Sequence, residues 1–79
     1  MNETMTSDRL AELTTSELLT RINELLTEVR ILAEGTAELN EQATSLNDRL
    51  IYVGVFTGMA SPKLAEVERL MAEFDSRLR

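Results

Sequence analysis

The chain has 79 residues, enough for one domain at a size where a lone hydrophobic core is marginal and disulfides, metals or oligomerisation commonly supplement it. It holds no Cys and no His, which removes disulfide frameworks, thiolate and imidazole metal sites, and Cys- or His-based catalysis. Fourteen acidic against eight basic residues give a net charge of -6, which repels a phosphate backbone and argues against direct nucleic-acid binding.

The opening "MNETMTSDR" lacks the charged-then-apolar pattern of an export signal, so a cytoplasmic chain is expected. Residues 1–6 are expected to be disordered, leaving 7–79 as a single helical oligomerisation and interaction domain. All the basic residues but Lys63 are Arg, a coding bias pointing to a bacterial or phage source. Ser7 and Asp8 can cap a short turn carrying Leu10 and Leu13, or extend the helix that follows. Thr14 with Glu17 three residues later forms a capping box, which sets a helix start near residue 15.

From there the apolar positions run Leu18, Ile22, Leu25, Val29, Leu32, Thr36, Leu39, Ala43, Leu46, Leu50 and Val53, spaced alternately by four and three. That is a heptad seam. It crosses Gly35 without losing phase, and a helix-interior Gly costs only about 1 kcal/mol relative to Ala. The spacing therefore predicts one helix over about 15–53, roughly 58 Å long at 1.5 Å per residue. Gly54 and Gly58 then bracket Val55 and Phe56, and Ser61-Pro62 reads as the N-cap and first residue of a second helix. This fold-back helix, about 62–77, carries Leu64, Val67, Leu70, Met71, Phe74 and Leu78 at helical spacing.

The expected fold class is all-α: a long helix with a heptad seam and a shorter fold-back helix, completed as a helical bundle by oligomerisation. The short helix can cover only the C-terminal half of the long one, so the N-terminal half, where Leu19, Leu26 and Ala33 form a second apolar edge, needs another chain. A homo-oligomer, most simply a dimer, follows, with an interface of Leu18, Leu19, Ile22, Leu25, Leu26, Val29, Leu32, Leu39 and Leu46. Ile22 and Val29 alternating with Leu18, Leu25 and Leu32 is a parallel-coil pattern. The uncharged flanks Leu19, Leu26, Ala33, Asn40 and Asn47, with small residues at Ala33, Gly35, Thr36 and Ala37, favour an antiparallel dimer forming a four-helix bundle.

Motifs for chemistry are sparse. Glu34, Glu38 and Glu41 share a helix face but lie opposite the seam, without the loop carbonyls that complete a hard-cation site, and read as a solvated surface. Glu24 with Glu28, and Glu66 with Glu73, lack a pocket that shifts carboxylate pKa values. No Ser or Thr has a recognisable base partner, and Gly54 and Gly58 do not match a phosphate loop. No enzyme activity, metal or cofactor is expected. The stretch "LIYVGVFTGMA", residues 50–60, is far shorter than the roughly 20 residues of a membrane span. Its aromatic and Met content marks Ile51, Tyr52, Val55, Phe56 and Met59 as a candidate protein-interaction site, with a core end plug as the competing role.

The sequence thus points to a non-enzymatic homo-oligomeric helical protein that binds another protein, as an inhibitor, regulator, adaptor or small chaperone. A structural or self-assembling rod, a nucleic-acid mimic, and an oligomer holding a small ligand between subunits are the alternatives.

Overall fold

The computed structural model describes residues 7–78, with side chains from Leu10 onward. The expected disorder of residues 1–6 lies outside these residues. Among the described residues the chain is all-helical: α1 (Ser7–Glu12), α2 (Thr15–Gln42) and α3 (Leu46–Leu78). The helices α2 and α3 form a hairpin, and α1 folds across its open end, in a molecule of 49 × 25 × 20 Å.

Local chemistry explains each boundary. The Leu13 N–H donates to the Leu10 carbonyl at 3.2 Å and closes α1. Thr14 then opens α2 with the expected capping box: the Glu17 N–H donates to Thr14 Oγ1 at 3.0 Å, and the Thr14 N–H to Glu17 Oε1 at 2.7 Å. As the seam requires, α2 runs through Gly35 with an ordinary helical backbone.

It does not run to Val53. The helix stops at Gln42, where Ala43 turns extended at φ -70 and ψ 136 and its N–H donates to the Asn40 carbonyl. Ser45 opens α3, its hydroxyl accepting the Asp48 N–H at 3.1 Å. So the predicted 15–53 helix ends eleven residues early by its own numbering, and the fold-back helix begins at Leu46 instead of near 62. Ser61 and Pro62, read as a helix start, lie inside α3.

Packing gives the physical reason. A Pro inside a helix costs about 3 kcal/mol and each interior Gly about 1 kcal/mol. A turn at 54–60 avoids those costs but leaves a second helix less than half as long as the first. Turning at 43–45 gives α3 the 33 residues it needs to run back along all of α2. Leu18, Ile22 and Leu25 of α2 are thereby buried with Val67 and Leu70 of α3 and Leu10 of α1, and Leu13 and Phe74 pack against the cluster. Burying one such side chain contributes about 1.5–3 kcal/mol, so these residues together outweigh the strain in α3.

The expected distribution of covered surface is therefore reversed. The N-terminal half of α2, predicted to lie bare within one chain, holds the core: Leu18 is 0% and Leu25 2% exposed. The seam residues nearest the turn are the bare ones, with Leu46 73% and Leu50 64% exposed.

Candidate interaction surfaces

The inward line of α2 is Leu18, Ile22, Leu25, Val29, Leu32, Thr36 and Asn40; that of α3 is Tyr52, Phe56, Ala60, Lys63, Val67, Leu70 and Phe74, all buried or half-buried. One helical position is a rotation of about 100°. In two antiparallel helices facing each other, residues one position after the inward line all emerge on the same side of the hairpin, and residues one position before it on the other. The two sides differ sharply.

Residues one position after the line include Leu19 and Leu26 on α2, and Val53, Leu64, Met71 and Leu78 on α3, each at least two-fifths exposed, interspersed with the polar Asn23, Arg30, Glu41, Thr57, Ser61, Glu68 and Asp75; the apolar members make up an edge. Ala33 continues this edge on α2. Leu19 and Leu26, expected at an oligomer interface, lie here. Leu18, Ile22 and Leu25, expected at the same interface, are instead buried inside a single chain, while Val29 and Leu32 are half-buried and Leu39 and Leu46 exposed.

Residues one position before the line are charged near the termini and apolar near the turn. Arg21 Nε lies 3.3 Å from Glu66 Oε2 and its Nη1 3.4 Å from Glu24, and Lys63 Nζ lies 2.7 Å from Glu28 Oε1. Partial burial works against the Arg21 charge, but the hydrogen bonds and charges of Glu66 and then Glu24 together outweigh it and raise its pKa. The Lys63 hydrogen bond, and then its charge, hold Glu28 below the usual carboxylate value. Of these, Arg21–Glu66 and Lys63–Glu28 span the two helices. At the end of the hairpin, Arg77 Nη2 donates to the Leu10 carbonyl at 2.9 Å, satisfying the last turn of α1, while its Nε pairs with Glu73 at 3.0 Å.

Beyond Lys63 the same side opens into a groove of about 430 Å³ between α2 and α3. Ile31, Leu32, Gly35 and Leu39 form one wall, Val55 and Met59 the other, and Glu38 lies at the rim. The five residues singled out as an interaction site are thus divided. Val55 and Met59 line the groove and Ile51 is exposed one turn before Val55, whereas Tyr52 and Phe56 point at α2 and are half-buried. Val53, a member of the predicted seam, is exposed, and Tyr52 beside it takes the half-buried place, because the chain turns back at 43–45. Periodicity placed these residues on different faces but did not say which face α2 covers.

The carboxylates Glu34, Glu38 and Glu41 are exposed, and no group of side chains suited to hold a metal ion occurs among the described residues. No described helix is long and apolar enough to cross a membrane. Comparison with known proteins gives no match: no family model, no curated protein and no solved structure is significantly similar to the chain.

Proposed function

We propose that the chain is a non-enzymatic, homo-oligomeric helical protein whose task is to bind another protein. The carrying observation is the apolar edge of Leu19, Leu26, Val53, Leu64, Met71 and Leu78, which runs along both helices on one side of the hairpin. Two hairpins laid edge to edge complete a four-helix bundle. Ala33 and the outward Leu46 and Leu50 extend the apolar surface that such a pairing would cover. This dimer surface differs from the seam read in the sequence, because the seam's N-terminal half is used within the chain. The groove on the opposite side is left free by such a dimer and supplies the binding surface.

Sedimentation equilibrium at micromolar concentration tests the assembly. The parent chain is expected at dimer mass, and Leu26→Glu combined with Leu64→Glu is expected to give a helical, cooperatively unfolding monomer, since both side chains are more than two-fifths exposed in the hairpin. A folded parent of monomer mass contradicts the proposal.

A further inference from the structure

We infer that the groove between α2 and α3 near the turn receives an amphipathic α-helix of another protein, one whose apolar stripe is flanked by Lys or Arg. The inference rests on the binding role proposed above and names the chemistry of the partner.

Shape and lining come first. The groove extends along α2 from Ile31 to Gln42, about 17 Å or three helical turns. Its walls present the aliphatic and thioether side chains of Ile31, Leu39, Val55 and Met59, each more than two-fifths exposed without an occupant. An elongated apolar trough between two helices fits the stripe of a third.

One glycine adds to the shape. Gly35 lies in the interior of α2, where Gly is costly, with no positive φ, and a Cβ built there meets nothing within 4 Å. It lines the groove between Leu32 and Leu39, and its lack of a side chain keeps the trough open there.

Charge then selects the occupant. Glu38 is at the rim, Glu34 is one turn away on the same face of α2, and no basic residue lines the groove. Lys63, one turn beyond Met59 on α3, is paired with Glu28 at 2.7 Å. A groove-to-groove contact with a second copy would set that copy's Glu34 and Glu38 against these carboxylates. A basic-flanked helix instead places its cations against Glu34 and Glu38.

The test uses a labelled 14-residue peptide of Leu and Lys with a helical apolar stripe, its counterpart with Glu in place of Lys, and fluorescence anisotropy on the full chain. The Leu/Lys peptide is expected to bind at least about tenfold tighter than the Leu/Glu peptide, with affinity falling as salt is added. Gly35→Leu fills the floor of the groove and improves helix propensity, so it should leave the melting temperature equal or higher while weakening the Leu/Lys peptide by about tenfold or more. Glu34→Lys with Glu38→Lys should remove the preference between peptides. The edge variant Leu26→Glu with Leu64→Glu should bind as the parent does.

Three outcomes overturn the inference. Leu/Lys binding that Gly35→Leu leaves unchanged is surface adsorption to an acidic protein. Equal or stronger binding of the Leu/Glu peptide, still blocked by Gly35→Leu, gives the groove a protein ligand of other chemistry and leaves the broader binding role standing. A change of oligomer mass in Gly35→Leu makes the groove a contact between copies.

Discussion

The two ends of the hairpin are built from similar residues and used differently. In the terminal half, Leu10, Leu18, Ile22, Leu25, Val67 and Leu70 close into a core, flanked by Arg21–Glu66 and Lys63–Glu28 and sealed by Arg77 on α1. In the turn half, Leu39, Leu46, Leu50, Val53, Val55 and Met59 are all exposed, and the inward Leu32, Thr36, Tyr52 and Phe56 are only half-buried. Stability is concentrated at one end and unsatisfied surface at the other, the arrangement expected when an element must stay available for contact with something else.

Leucine truncation breaks this contrast most forcefully. Leu70→Ala opens a cavity in the core and should cost about 3 kcal/mol in urea unfolding, whereas Val55→Ala in the turn half, on the groove side, should stay within about 0.5 kcal/mol. Equal costs at the two positions contradict the division. The glycines sharpen it with the opposite sign. Gly54→Ala and Gly58→Ala should each raise stability by about 1 kcal/mol, because the new methyl group meets open space and Ala has the higher helix propensity. A loss of stability at either position means that the α3 backbone there is closely covered.

The smallest effect is electrostatic. Lys63 lowers the Glu28 pKa, so the pair's contribution is fully present above the ordinary Glu value and is lost as pH falls through the lowered folded value. Comparing the pH dependence of stability for the parent and Glu28→Gln should show a difference that is flat near neutrality and vanishes in acid. Both partners are partly exposed, so added salt should reduce it.

How legible was this in the sequence? The all-helical class, the start of α2 at the Thr14 capping box and the passage through Gly35 follow from local chemistry and spacing, and the structure has them all. The turn was misplaced because two signals competed. Gly54, Gly58 and Ser61-Pro62 are strong punctuation by propensity; the true signal is the modest Ser45-Leu-Asn-Asp48 cap, embedded in an uninterrupted apolar rhythm. That rhythm persists across the turn because Leu46, Leu50 and Val53 extend the phase of Leu39, although they belong to another helix and face solvent. Periodicity reports which residues share a face, not which face is covered. Consequently the apolar edge was only partly named, through Leu19, Leu26, Ala33 and Leu46, and the groove could not be seen until α3 was laid against α2. A signal for it was nevertheless present in Gly35, which is costly in a helix interior and lines the groove.

Residue-resolved amide hydrogen exchange on the full chain tests the central division most directly. The slowest amides should fall in two separate blocks, about 18–29 and 60–74. Fast exchange is expected at 43–45, where the chain leaves the helix, and intermediate rates in the remainder of the turn half. If residues 43–53 instead exchange as slowly as 18–29, with the fast segment at 54–60, then one long helix carries the seam as its periodicity suggested, and the hairpin with its turn at 43–45 is contradicted.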